Sequence, residues 1–466
     1  MNIGKELEKG GVSDNVLKSR LLELGKFIGK HMTDEELVAK LIDIVQHPHD
    51  YTSETNKRYK TVLNILLKDE KKETRYELLK TPLPYTVYGN NDLIDETARK
   101  QMDVAMRLPV SAYGALMPDA HAGYGLPVGG VIATKGVVLP YAVGRDIGCR
   151  MQLTILDKSS EWLNSIISNA LVKQVLFSNT AFGMDGVLAN PAYHPVLDKI
   201  ANSDIPFIKN LYSKAERQLG TSGGGNHFVD ICEVSFYHDN PLGLKEGSYV
   251  GILTHSGSRG FGSEIAEHYT KLAKSTCKLP NSAGPFVWLD MESEYGKEYW
   301  ECMHLAMEYS KACHNIIHER IAKDLRLKPL KTIGNFHNFA AKETHFGEEY
   351  IVHRKGATPA HDGEIGIIPA DMANPGILVT GVGCENSLCS ASHGAGRRMT
   401  RQDAKNTFSN HALKKELRES NVTLLGGTTE EAPGAYKHIF DIIENSRKLF
   451  NVWGNVMPRF VIMNEQ

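Results

Sequence analysis

The stretch from Met117 to Met151, MPDAHAGYGLPVGGVIATKGVVLPYAVGRDIGCRM, constrains the fold more than any other part of the chain. It is dense in Gly and Val, and Pro118, Pro127 and Pro140 punctuate it. Proline removes a backbone donor and clashes with the preceding helical turn, and glycine has the most backbone freedom to lose. Valines between such breaks favour short buried strands joined by tight turns. Strand-like, glycine-rich text resumes around 330–400, and Val250–Thr254 reads as a further strand. Residues 261–326 read as helical, with Glu264-Ile-Ala-Glu-His-Tyr269 and then His304 through Leu325. The mixture predicts an α+β fold, one large domain over residues 81–466, with no short-period repeat.

Residues 1–80 have a different texture and predict an N-terminal helical extension. Thr33-Asp-Glu-Glu36 has the spacing of a capping box, and Leu37, Leu41, Ile42 and Val45 follow at helical spacing. Residues 53–80 place Lys57, Arg58, Lys60, Lys68, Lys71 and Lys72 around Val62, Leu63, Ile65, Leu66 and Leu67. A solvated amphipathic helix accounts for this, and a nucleic-acid-contacting face is the other reading. Thr81-Pro-Leu-Pro84 then breaks any helix and marks the boundary.

Bulk properties exclude several classes. At 466 residues, 41% hydrophobic and 23% charged, the composition is that of an ordinary soluble globular chain. No apolar run approaches the roughly 18 residues of a membrane span. The start, MNIGKELEKGG, lacks the apolar core of a signal peptide, so a cytoplasmic location is expected. A net charge of −2 argues against a uniformly basic nucleic-acid coat but permits a local basic groove. Cys149, Cys232, Cys277, Cys302, Cys313, Cys384 and Cys389 are scattered without a CxxC pair. That pattern fits reduced thiols better than a disulfide framework or a zinc ribbon.

Several polar clusters sit in glycine-rich turns. In Gly144-Arg-Asp-Ile-Gly-Cys149, Asp146 and Cys149 can bend toward one point as carboxylate and thiolate ligands, though a cap and a core thiol would read the same. Gly220-Thr-Ser-Gly-Gly-Gly-Asn226-His227-Phe228 exposes backbone N–H groups beside a histidine. His255-Ser-Gly-Ser-Arg259 follows a strand, and Asn335-Phe-His337-Asn338 adds a further histidine beside amides. His353-Arg354-Lys355-Gly356-Ala-Thr358 reads as a compact cationic turn. Near the end, Ser392-His393-Gly-Ala395-Gly396-Arg397-Arg398-Met-Thr-Arg401 sets a histidine among glycines and arginines with no carboxylate close in sequence. Arginine forks suit phosphate oxygens, and a solvated face is the alternative. Neighbouring positive charge keeps an imidazole neutral and nucleophilic. With metal ions and arginines offsetting phosphate charge, phosphoryl or nucleotidyl transfer through His393 is the chemistry these residues suit. A Cys, His and Asp ligand mix suits manganese or zinc better than magnesium.

From about residue 84 onward the chain resembles the RtcB-type RNA ligases. The resemblance runs in order through MPDAHAGYG, AVGRDIGC, GGGNHF, THSGSRG, FHN, HFGEEY, HRKGA, GIIPADM and SHGAGRRMTR, and residues 1–80 lie outside it. It implies a layered β-sheet core with helices around it. It implies GTP-dependent joining of RNA ends bearing a 3′-phosphate or 2′,3′-cyclic phosphate to 5′-hydroxyl ends, in RNA repair or tRNA splicing, with GMP carried on His393. The implied ligands of two manganese ions are Asp146, Cys149, His227, His255 and His337, with Cys149 bridging. Asn226 would lie beside the reacting phosphates. Arg259, Arg354, Lys355, Arg397 and Arg401 would hold RNA or triphosphate, with Arg397 counted among the catalytic groups. Asp119 and His121 would support the site. The nucleotide pocket would be formed by Asn226, Phe228, Asp230, His337, Asn338, Asp371, Met372, Ala395, Gly396 and Met463.

Three positions depart from the family pattern. Ala370-Asp371-Met372-Ala373 replaces the usual Gly-Ser-Met-Gly, putting a carboxylate where a small hydroxyl would meet the nucleotide. Met463 stands where a lysine is common, and Asp230 stands for a glutamate, shorter but of equal charge. These differences concern nucleotide preference, so a ligase with altered preference is one alternative. A metal-dependent RNA end phosphatase or cyclic phosphodiesterase, and a non-catalytic RNA-binding factor, are the others. The natural RNA, an activating protein and the role of residues 1–80 are left open by the sequence.

Overall fold

The computed structural model describes residues 3–12, 14–67, 74–237 and 240–465. The chain divides into two compact units, Met1–Thr74 and Arg75–Gln466. The first is helical, with helices Ile3–Lys9, Asn15–Ile28, Asp34–Gln46 and Lys57–Leu66. The capping box forms as its spacing predicts: Thr33 caps Asp34–Gln46, accepting from the Glu36 N–H while the Glu36 carboxylate accepts from the Thr33 N–H at 2.9 Å. Leu7, Leu21, Leu24, Leu41, Ile44 and Val62 are fully buried and form this unit's own core. Of the basic residues around the Lys57–Leu66 stripe, Lys68, Lys71 and Lys72 lie outside the described residues.

The second unit is α+β and is built on two main sheets. In the larger, the strand order is Pro329–Phe336, Arg150–Ser159, Gly247–Ser256, Phe228–Phe236, Phe450–Met463, Gly376–Gly381 and Ile365–Ile368, with Thr423–Gly426 added parallel to Phe450–Met463. The smaller runs Asn338–His345, Glu348–Lys355, Val128–Thr134, Ser111–His121 and Thr86–Val87. The Gly- and Val-rich stretch thus supplies strands, as its composition requires. The helical text of 261–326 resolves into Arg259–Thr276 and the 32-residue Glu294–Leu325. Pro280, Gly284 and Pro285 lie in the interruption between them.

Strand alternation decides which side chains reach the site. In the central strands, Val229, Ile231, Val250 and Ile252 face one way and pack with Ile317 and Ile321 of the long helix. Each fully buried aliphatic side chain contributes about 1.5–3 kcal/mol. The alternate positions face the other way, where Leu253 packs with Met151 and Cys232. Phe228 and Met151 both pair with His255 in the ladder. That face carries Phe228, Asp230 and His255 to one cavity.

Candidate functional site

The cavity has a volume of about 800 Å³. At its floor the turn Gly144–Cys149 and three strand ends bring donor atoms together. Cys149, His255 and His337 place one ligand atom each within 4.8 Å of the others, and Asp146, Cys149 and His227 do the same. Cys149 belongs to both sets. Its Sγ lies 3.5 Å from His227 Nε2 and 3.3 Å from His255 Nε2, while His227 Nε2 is 3.0 Å from Asp146 Oδ2.

The hydrogen bonding around this cluster turns a lone pair of His255 toward His337. His255 Nδ1 donates to the Asn226 carbonyl at 3.0 Å, so in the neutral ring Nε2 is a bare acceptor. That acceptor stands 3.2 Å from His337 Nε2. Burial pushes His255 down to about 3 and His337 well below its ordinary value, so neither ring is charged near neutral pH. His227 Nδ1 and His337 Nδ1 have no hydrogen-bond partner among the described residues. Burial, and the Asp146 carboxylate beside it, push the Cys149 thiol up, so without a cation it keeps its proton. A thiol, three imidazoles and a carboxylate converging in this way fit metal cations, whose binding would displace the thiol proton.

His393 stands beside this centre, its ring centroid 5.0 Å from that of His337. The orienting carboxylate absent from its own segment arrives from 274 residues away: His393 Nδ1 and Asp119 Oδ2 are 2.7 Å apart. The same Oδ2 accepts from the backbone N–H of His393 at 3.0 Å and of Gly394 at 3.3 Å. Asp119 is fully buried. Burial works against its ionisation, but the His393 hydrogen bond and the nearby Lys437 ammonium outweigh this and hold the carboxyl below its ordinary value. Lys437 itself is fixed by the Pro118 and Ala120 carbonyls at 3.1 and 2.6 Å. An ionised Asp119 places the proton on Nδ1 and leaves Nε2 as the lone pair. Gly396, at φ +73, is required here, because a Cβ would fall 2.1 Å from the Asp119 carbonyl oxygen. His121 lines the same cavity, with Nδ1 3.0 Å from the Asp119 carbonyl oxygen.

A family-level comparison matches tRNA-splicing ligase RtcB over residues 101–205 and 198–464. The chain belongs to the RtcB family. It is 30% identical over 408 residues to the RNA-splicing ligase RtcB of Escherichia coli K12, covering 81% of this chain and 97% of that one. It is 27% identical over 440 residues to the tRNA-splicing ligase RtcB of Thermococcus kodakarensis, covering 78% and 90%. It is 29% identical over 413 residues to the RNA-splicing ligase RtcB homolog 1 of Entamoeba dispar, covering 74% and 77%.

Within this RtcB chain, the remaining expected site residues divide into three groups. Asn226, Phe228, Asp230, His337, Asn338, Asp371, Met372, Ala395, Gly396 and Met463 all line the cavity. Met372 and Met463 pack with Ala373, Leu413 and Val461 as an apolar wall. Asp230 is buried with Oδ1 unpartnered, and burial pushes its carboxyl well above the usual range. The sequence counts it as a charge-preserving replacement for glutamate; its burial disfavours the charged form. Asp371 does not present a bare carboxylate either. Its Oδ1 accepts from the N–H groups of Ala373 and Asn374 at 2.8 and 3.1 Å, and from Asn374 Nδ2 at 3.0 Å. The Asn338 amide is engaged at both ends, donating to the Asp146 carbonyl and accepting from the Gly356 N–H.

Two of the expected phosphate binders, Arg354 and Arg259, lie outside the cavity lining. Arg354 is fully buried and lies outside the cavity lining. Its guanidinium forks onto Glu343 with contacts of 2.5 and 2.9 Å and donates to Ser390 Oγ and the Leu388 carbonyl. His353-Arg354-Lys355 is strand, not turn, so its side chains leave in different directions. Arg259 also lies outside the lining: it donates to Thr221 Oγ1 at 3.1 Å and to the Gly183 carbonyl, bracing the glycine loop before Asn226. Lys355 does reach the cavity, where burial pushes it down to about 8.

Arg397 and Arg401 line the cavity but are held by a residue that the sequence reading missed. Glu431 accepts from Arg397 Nη1 at 2.8 Å and from Arg401 Nε at 3.0 Å, and Tyr436 OH also donates to it. Thr-Glu-Glu-Ala around Glu431 carries no motif, and the contacts span 30 and 34 residues. Only the unexplained surplus of arginines at 397–401 pointed to a hidden acid.

Proposed function

We propose that this chain is a manganese- and GTP-dependent RNA ligase that joins 3′-phosphate or 2′,3′-cyclic phosphate ends to 5′-hydroxyl ends through GMP carried on His393. Family membership supports RNA ligase activity and RNA as the partner. The observation that carries the finer reading is the Asp119–His393 pair set beside the double donor cluster. Asp119 holds the Nδ1 proton, so His393 Nε2 attacks the α-phosphorus of GTP and pyrophosphate leaves. A 2′,3′-cyclic phosphate is first hydrolysed by water at its 2′-O–P bond, giving a 3′-phosphate and a 2′-hydroxyl; the GMP then passes from His393 to the RNA 3′-phosphate, and the 5′-hydroxyl attacks that activated phosphate with loss of GMP. Two manganese ions would be held by Asp146, Cys149 and His227 and by Cys149, His255 and His337, supplying Lewis-acid stabilisation of phosphate charge. The Phe228, Met372 and Met463 wall offers an apolar surface to a base, and the buried Asp230 carboxyl lines the same cavity.

The test is intact-mass and peptide analysis of the protein after incubation with manganese and GTP. One guanylyl group on His393, absent from His393→Ala, is expected. Full RNA-end hydrolysis by His393→Ala, with no adduct on the wild-type protein, would favour the phosphatase reading instead. Parallel labelling from α-labelled ATP decides nucleotide preference, and equal labelling would sink strict GTP use.

A further inference from the structure

Among the described residues, four lysine or arginine side chains line the cavity: Lys355, Arg397, Arg398 and Arg401. Three are held by the protein. Lys355 Nζ donates to the Tyr124 carbonyl. Arg397 spends its guanidinium on Glu431, the Glu430 carbonyl and the Met399 carbonyl. Arg401 Nε takes the other oxygen of Glu431.

Arg398 differs from all three. Its side chain is exposed, and no ion pair or side-chain hydrogen bond engages it among the described residues. Its backbone is nonetheless fixed. The Arg398 N–H donates to the Ala435 carbonyl at 2.9 Å, and Arg397 bridges to Tyr436 in antiparallel fashion. Arg397 turns inward, its guanidinium 5.2 Å from the Tyr436 ring centroid, while Arg398 remains at the rim. A guanidinium without a partner, on an immobilised backbone at the mouth of a cavity, is a preformed fork for phosphate oxygens.

We infer that Arg398 binds a backbone phosphate of the RNA strand whose end enters the cavity. The inference rests on the ligase reading above and adds a contact to it. The nucleotide triphosphate is the other source of the same anion. Position decides between them: the side chain is exposed at the rim, whereas His393, where the nucleotide must react, is partly buried beside the metal-fitting floor.

The experiment uses the full chain and Arg398→Ala, with Arg398→Lys as the conservative variant. Binding of a 3′-phosphorylated single-stranded RNA is followed by fluorescence anisotropy over a salt series. His393 labelling from GTP and manganese is timed in parallel. Arg398→Ala is expected to raise the RNA Kd about five- to tenfold and to reduce the slope of log K against log salt by about 0.7, the loss of one single-strand phosphate contact. Arg398→Lys recovers part of the affinity, and labelling changes by less than twofold. Unchanged RNA affinity and slope would overturn the inference, as would a loss of labelling as large as the loss of RNA affinity. Absence of any adduct on the wild-type protein would count against the ligase reading alone, because the RNA-binding series would still report on Arg398.

Discussion

Two polar clusters lie in the interior of the larger unit, and they are built on opposite principles. Around Arg354, every strong group is answered: Glu343 takes the guanidinium fork, His345 Nε2 lies 2.9 Å from the same carboxylate, and Ser390 and Leu388 take the remaining donors. Around Cys149 the opposite holds, with Nε2 atoms of His255 and His337 facing each other at 3.2 Å and unpartnered nitrogens on His227 and His337. Buried polar groups cost free energy unless they are paired. The first cluster is therefore complete as protein, whereas the second leaves buried nitrogens unanswered among the described residues. Richness in charge does not distinguish them; satisfaction does.

The largest effect that sharpens this contrast concerns Cys149. Because its sulfur is common to both donor sets, Cys149→Ala should drop the metal content of dialysed protein from two ions to none and abolish ligation. His337→Ala and His227→Ala each remove a ligand from one set, so each should leave one ion. Inductively coupled plasma analysis reads this directly. Two ions retained by Cys149→Ala would mean that the sets do not share their sulfur.

Next comes Glu343. Removing it in Glu343→Ala leaves the Arg354 guanidinium buried and unpaired, which should cost about 3–5 kcal/mol of stability. Metal content per folded protein should be unchanged. Burial disfavours the ionised form of Glu343, yet Arg354 outweighs it and holds the carboxyl below its ordinary value. A depressed carboxyl stabilises the fold above its unfolded-state value, near 4.5, and that contribution fades as pH falls below it. Urea titrations of wild type and Glu343→Ala at pH 7 and at successively lower pH should therefore converge toward the acid end. A constant difference across that range would sink the ion-pair account.

Why one cluster was legible in the sequence and the other was misread follows from where each residue sits. Asp146, Cys149, His227, His255 and His337 each lie in or beside a turn or strand end where glycine or a small polar neighbour lets backbone approach, so residue type and local texture pointed the same way. Arg354 carries the same local texture, a basic run beside glycine, but it occupies a strand whose partner strand supplies Glu343 through the pairing of Phe339 with Arg354. That information is in the register, which adjacent residues do not encode. Glu431 was hidden for the same reason, since its claim on Arg397 and Arg401 is made across the helices Arg401–Thr407 and Asn410–Glu419 and the strand Thr423–Gly426. The α+β class was legible because proline and glycine exclude helices locally, whereas the order of strands in the large sheet depends on contacts far apart in the chain.

Asp119 gives the smallest and finest test, because it belongs to the candidate site yet resembles the satisfied cluster on one side. Its Oδ2 accepts three hydrogen bonds, while its Oδ1 is buried without a partner among the described residues. Asp119→Asn can keep an oxygen at the Oδ2 corner, so the shape and the Nδ1 proton of His393 survive and only the charge is lost. A charge-assisted hydrogen bond exceeds a neutral one by about 1–2 kcal/mol, which corresponds to a rate loss of about tenfold in His393 labelling. Metal content should not move, since Asp119 is no part of either donor set. Wild-type labelling in Asp119→Asn would mean that the carboxylate acts by shape alone. Loss of metal with it would mean that the nucleophile's support and the ligand cluster are one structure, and the division between answered and unanswered groups would have to be redrawn through Asp119.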